Sequence, residues 1–281
     1  MTLLKRASVA ALFLSCMITV THAEQEIISI ENAPSHRRPG DALMLTITDP
    51  SVTSITYKGR SYPLFHHHNR RHALIPIPGR ENAGTHTLHV MTRSGTSSIP
   101  VTVHNRKITV IELPIPKTVK ETPSTLITTL AKQNTTISET PPSPSPNTLF
   151  TKTFGLPLAD NRNISSRYGE IRKTGNQSIR HLGVDFAARR GTPVYAMNAG
   201  RVLKAYIDPI YGNTVIIDHG AGITSLYMHL DTIEVKPSSP VYRGERIGTV
   251  GNTGLSSAPH LHLSLKVHGE SVDPLSFISL F

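Results

Sequence analysis

From His260 to Val267 the chain reads His-Leu-His-Leu-Ser-Leu-Lys-Val, an unbroken alternation of polar and aliphatic side chains. A strand sends successive side chains to opposite faces. His260 and His262 then share one face, while Leu261, Leu263, Leu265 and Val267 share the other. A helix would rotate positions two apart by about 200° and scatter both sets. The segment therefore reads as a strand whose leucines enter a core and whose histidines look into a polar cleft. Ser225-Leu226-Tyr227-Met228-His229-Leu230 follows the same logic. Alternation predicts Tyr227 and His229 on one face, with Leu226, Met228 and Leu230 on the other. A third element, His181-Leu182-Gly183-Val184-Asp185, spaces an imidazole and a carboxylate four residues apart, and Gly183 with Val184 favours a strand or loop. Three nitrogen or oxygen donors with one coordination position left open is the pattern of catalytic zinc. Any one of these elements alone is more often structural; the three together, in one β region without cysteine, are harder to dismiss.

The surroundings of these elements are also β in character. Gly-containing turns at 190–192, 198–200, 211–213 and 243–245 separate short β-branched runs such as Thr214-Val215-Ile216-Ile217, and no stretch of ten residues keeps a helical period. Residues 151–281 are expected to form a mostly antiparallel β-sheet domain. Residues 24–112 carry strand-sized runs at 42–48, 54–57, 85–90 and 99–103, a spacing that suggests an immunoglobulin-like β-sandwich. Between them, 113–150 is rich in Pro, Thr and Ser. Its Glu139-Thr140-Pro141-Pro142-Ser143-Pro144-Ser145-Pro146 reads as a semi-extended spacer, with a brief helical turn conceivable at 126–130.

The first 23 residues combine Lys5 and Arg6, an apolar run from Ala7 to Val20, and small residues at Thr21-His22-Ala23. That order marks a secretory signal, too short to span a bilayer, and no later run is apolar enough to do so. The chain is expected in the periplasm, in the cell envelope or outside the cell. Cys16 is the one cysteine, inside this segment, where it faintly resembles a lipidation site. Cleavage after Ala23 removes disulfides, thiolate ligands and a cysteine nucleophile from consideration. Without Lys5 and Arg6 the remaining 27 basic and 19 acidic residues leave a charge of +8, since 1–23 hold no acid. In an exported protein that charge suits anionic wall polymers rather than nucleic acid, or is simply a solvated basic surface.

In order and spacing, these motifs resemble the lysostaphin/LytM type of peptidase, the M23 family. His181-x-x-x-Asp185 is similar to its first zinc motif and His260-Leu261-His262 to its second, and the likeness runs from about Phe154 to Pro274 through the intervening glycine turns. Carried onto these positions, the resemblance implies a Zn²⁺ ion held by His181, Asp185 and His262, with His229 and His260 as catalytic histidines. It implies a zinc metalloendopeptidase cutting the peptide stems of bacterial peptidoglycan, here expected to act as a monomer. Two departures, Ala258 where Gly is usual and Ser264 where an acidic or aromatic residue is common, bear on cleft shape rather than on the ligands. The competing reading is a non-catalytic wall-binding module or an activator of another cell-wall hydrolase; relatives of that kind lack one or more of the five positions. Tyr227 either supports an oxyanion or packs. His219 is expected in a turn or behind the ligands, His268 in an exposed turn, and His66-His67-His68 with His72 in a solvated loop, a metal site being the lesser alternative.

Overall fold

The structure, a computed structural model, describes residues 28–29, 37–112, 147–160, 163–174 and 177–281. The signal segment, Cys16, the 113–146 part of the spacer and the helical turn at 126–130 lie outside these. Among the described residues strands are the dominant regular structure and helix is almost absent, as the alternating patterns predict.

The N-terminal half contributes β1 (Ile28–Ser29), β2 (Ala42–Ile47), β3 (Val52–Tyr57), β4 (Arg60–Tyr62), β5 (Leu64–His67), β6 (Arg70–Pro76), β7 (Gly84–Thr92), β8 (Thr96–Val103) and β9 (Val110–Glu112). β1 to β8 form two four-stranded sheets, β1-β2-β6-β5 and β4-β3-β7-β8, while β9 pairs with a strand of the second half. Leu43, Leu45 and Ile75 from one sheet and Ile55, Leu88 and Val90 from the other close a common core. The result is the two-sheet sandwich that the strand spacing suggests. Its histidine cluster is a solvated loop only in part. His66 and His67 end β5, and His68 and Asn69 turn the chain into β6 with φ of 48° and 59°. Both central residues of a tight hairpin turn need positive φ, and Asn tolerates it well. His72 is buried on β6, and the His67 ring lies 5.1 Å from that of Phe150. His67 and His72 are therefore packed against other side chains, while His66 and His68 stay exposed at the hairpin.

That second half contains β10 (Ile164–Ser166), β11 (Ile171–Thr174), β12 (Gln177–Arg180), β13 (Val184–Ala187), β14 (Pro193–Tyr195), β15 (Gly200–Asp208), β16 (Gly212–Gly220) and β17 (Ile223–Ile233). It continues with β18 (Pro240–Val241), β19 (Arg246–Val250), β20 (His260–Val267), β21 (Glu270–Val272) and a short helix, α1 (Pro274–Ile278). The main sheet runs β10-β13-β20-β17-β16-β15-β18, antiparallel throughout. Its apolar face carries Leu261, Leu263, Leu265, Val267, Phe186, Tyr227 and Ile217 into a core that also takes in Ala42, Met44, Phe65 and Leu74 of the sandwich. Each such fully buried side chain contributes about 1.5–3 kcal/mol relative to exposure, which fixes which face of β20 points inward. The histidine face is left for the cleft.

Two histidines sit otherwise than expected. His268 does occupy a turn, with φ of 50°, but it is half-buried with its ring edge-on to Tyr62 at 5.4 Å. His219 is not in a turn; it lies within β16, fully buried. Its Nδ1 donates to the carbonyl of Ala199 at 2.8 Å, and its Nε2 lies 2.7 Å from Ser225 Oγ, itself 3.1 Å from the Tyr227 hydroxyl. Burial pushes the His219 pKa down to about 4. The folded state thus binds fewer protons than the unfolded chain once pH drops below the ordinary histidine value of 6.5. Stability present above pH 6.5 should be lost as pH falls toward 4 and level off below, an effect of about 3 kcal/mol for this group alone. Urea unfolding of the metal-free protein at pH 7, 5.5 and 4.5 checks this; His219→Gln should remove this group's share of the dependence and leave that of the other buried histidines.

Candidate metal centre

Asp185 on β13 stands directly opposite His262 on β20, and Ala187 stands opposite His260. Directly opposed residues of an antiparallel pair share a face, so strand register alone brings this carboxylate and imidazole together. His181 arrives from the end of the β11–β12 hairpin. There Gly169 N donates to His181 O and His181 N donates to Glu170 O, both at 2.8 Å. His181 Nε2 lies 3.1 Å from Asp185 Oδ1 and 3.0 Å from His262 Nδ1, which is 2.7 Å from the same carboxylate oxygen. All three residues are buried, and they are the one metal-capable grouping among the described residues.

The donor set fits a small divalent cation. Tetrahedral zinc with bonds of about 2.05 Å places neighbouring donors about 3.3 Å apart, close to the spacings present. Tautomers point the same way. His181 Nδ1 lies 3.0 Å from the Arg167 carbonyl, an acceptor only, so Nδ1 carries the proton and Nε2 turns a lone pair on the Asp185 carboxylate. A lone pair facing a carboxylate is repulsive unless a cation sits between them. Burial pushes the Asp185 carboxyl up, but the two imidazoles packed against it more than offset this, and the group is held well below the usual carboxylate range. Burial lowers His262 to about 4, leaving the neutral imidazole that ligation requires.

Further side chains hold the three in place. Ser166 Oγ lies 3.2 Å from His181 Nδ1, and Arg172 Nη2 donates to the outer oxygen of Asp185, Oδ2, at 2.5 Å. Ser264 Oγ donates to the Leu182 carbonyl at 2.5 Å. Gly183 is a packing requirement: a Cβ there would sit 2.5 Å from the Leu263 carbonyl oxygen and 2.6 Å from His262 Nε2.

His229 and His260 complete the cleft, with ring centroids 4.8 Å apart. Strict alternation misplaces His229. Met228, not Tyr227, is the cross-strand partner of His262, and Tyr227 pairs with Leu263 on the core side. His229 has φ of 60°, and the β16–β17 register shifts beside it. This bulge turns Met228 and His229 both toward the cleft and returns Leu230 to the main core. Tyr227 is therefore separated from His229 and packs, its hydroxyl accepting from Met197 N at 2.9 Å. Leu226 and Met228 join Ile210, Tyr211 and Ile216 in a small apolar cluster on the cleft side.

The loop 252–258 sets both cleft imidazoles. His229 Nδ1 donates to the Thr253 carbonyl and His260 Nδ1 to the Ala258 carbonyl, each at 2.8 Å. Each ring is left with Nε2 unprotonated when neutral. Burial, then the charges His262 and His260 would carry, push His229 down to about 3, so it is neutral at pH 7. The structure thus brings together all five residues singled out from the sequence. It adds Arg172, Ser166 and Tyr211, whose ring lies 6.4 Å from both His229 and His262. Tyr211 was visible only as part of a Gly turn, and Arg172 carried no signal within Glu170-Ile171-Arg172-Lys173.

Comparison with known proteins agrees with this geometry. Residues 179–274 match Peptidase family M23. The chain carries an M23 peptidase domain. Peptidoglycan DD-endopeptidase ShyA of Vibrio cholerae is 45% identical over 95 residues, which cover 34% of this chain and 22% of that protein. DD-carboxypeptidase/endopeptidase Mpg of Neisseria meningitidis is 42% identical over 96 residues, again 34% of this chain and 22% of the relative. The match thus spans about a fifth of the length of these relatives. A crystal structure from Pseudomonas aeruginosa, named as a peptidase M23, superposes with a TM-score of 0.60 at 26% identity. It covers 88% of this chain and 96% of the other, so the likeness takes in the sandwich as well.

Gly183→Ala should force His262 off its partners and weaken zinc binding by about 10-fold or more, the scale set by misoriented ligands. Competition of the purified variant against a chromophoric chelator measures it.

Proposed function

We propose that this chain is an exported zinc endopeptidase that hydrolyses peptide cross-links of bacterial peptidoglycan, with His181, Asp185 and His262 holding the metal and His229 and His260 handling protons. The observation that carries the reading is the convergence of three donor atoms within 3.1 Å of one another beneath two further imidazoles whose rings lie 4.8 Å apart. Two imidazole nitrogens and one carboxylate oxygen suit zinc among the common divalent ions. Zinc, when bound in such a set, acidifies water and polarises an amide carbonyl. The chain's own residues do the remainder. One of the paired cleft histidines accepts the proton of the attacking water at its Nε2, and a ring so protonated at Nε2 then gives a proton to the departing amine. The carbonyls of Thr253 and Ala258 keep both rings in the tautomer that this needs. Tyr211 and Met228 supply an apolar wall that limits competing water.

The substrate class follows from the relatives named above and from the basic charge, which favours an anionic polymer. A periplasmic or envelope location follows from the signal-like segment at 1–23.

Incubation of the zinc-loaded protein with purified sacculi, followed by chromatography of the released muropeptides, should show cross-linked species converted to monomers. His262→Ala should lose zinc and activity together. His229→Ala should keep zinc yet lose at least about 100-fold in rate, the scale of one acid–base group. Full activity in either variant would falsify the assignment. A wild-type protein that binds sacculi but carries no zinc and releases nothing would instead make it a wall-binding module.

A further inference from the structure

The side chain that grips the outer oxygen of Asp185 belongs to a strand pinned by the N-terminal half of the chain. Arg172 sits on β11, where its Nη2 donates to Asp185 Oδ2 at 2.5 Å and to Ser166 Oγ at 2.9 Å. Ser166 Oγ in turn touches His181 Nδ1, so one guanidinium reaches two of the three donor residues, one directly and one through a hydroxyl. On one side β11 pairs with β12. On the other it pairs in parallel with β9, Arg172 lying opposite Ile111, and Ile171 N donates to the Thr109 carbonyl at 2.9 Å. The residues just before β9 are clamped as well. Arg106 binds Asp41 at 2.7 Å and Asp273 at 2.8 Å, and stacks over Tyr168 at 5.2 Å. Residues 106–112 thus form a strap along 168–173, anchored at one end and hydrogen-bonded at the other.

We infer that Arg172 is a positioning residue for the metal-binding carboxylate, and that the β9 strap from the N-terminal half is what holds it there. The chemistry is that of an outer partner to a ligand. Asp185 offers Oδ1 to the ion and rotates freely about its terminal torsion unless Oδ2 is bound elsewhere. One guanidinium nitrogen, Nη2, bridges Oδ2 and the Ser166 hydroxyl, and the planar group behind it holds that nitrogen in a fixed direction. Arg172 is about a quarter exposed, so most of its contact is shielded from bulk water. The inference rests on the metal-binding reading above, and its test separates the two.

Zinc affinity of the full chain, measured by chelator competition, is the readout, with the unfolding midpoint of each metal-free variant alongside. Arg172→Met should weaken affinity about 10- to 100-fold, and Arg172→Lys should recover part of it. Ile111→Pro removes the strap's ladder donor opposite β11 and should weaken affinity in the same direction; Ile111→Gly is the milder substitute should the proline variant fail to fold. The double variant should bind no more weakly than Arg172→Met alone, because the strap acts through that arginine. A wild-type chain that binds no zinc sinks the metal centre itself. A wild type that binds, with Arg172→Met within twofold of it, tighter than it, or weakened only as its metal-free midpoint falls, sinks this inference alone. Additive losses at Ile111 and Arg172 would limit the strap to a structural part and overturn its link to the carboxylate.

Discussion

The site depends first on one antiparallel register, the pairing of Asp185 with His262 across β13 and β20. A slip of a single residue would set a leucine against the carboxylate and turn every histidine of β20 into the core. Such a slip is opposed by the row of leucines on the reverse face, each fully buried. The apolar face therefore determines the geometry of the polar one. Ligand placement is a by-product of core packing, which is why so few dedicated contacts are needed to bring a carboxylate and an imidazole within reach of one ion.

The paired cleft histidines are placed by less regular means. His229 occupies a left-handed backbone conformation that a non-glycine residue adopts only at a cost, and the irregular pairing beside it absorbs the extra residue. Strain of this kind is tolerated where the surroundings over-determine it. Here the backbone N–H of His229 donates to Tyr211 at 2.8 Å, and its ring is held by Thr253. Thr253 is itself fixed by Asn213 N and by the Leu230 carbonyl. The loop that orients both rings is thus tied back to the strands that bracket them.

The same contrast explains what could be read from the sequence. The His260–Val267 strand, the Asp185 pairing and the all-β character of both halves follow from periodicity and turn residues, because those features obey the regular pleat. The separation of Tyr227 from His229 does not, since it depends on a bulge at a position where no glycine or asparagine announces positive φ. Arg172 was equally hidden, one charged residue among several, made special only by a contact between segments distant in the chain. His67, His72 and His268 were misjudged for a related reason. Histidine is as much an apolar ring as a titratable group, and it was the packing of the two halves against each other that buried them.

That packing has a consequence of its own. Ala42, Met44, Phe65 and Leu74 of the sandwich belong to the same continuous core as Phe150, Phe277 and the leucines of β20. The two halves are thus not beads on a string but partners that share one apolar interior. Excising either would leave a greasy surface without its cover, so a fragment carrying all five histidine and aspartate positions would still lack part of the interior that holds them in place.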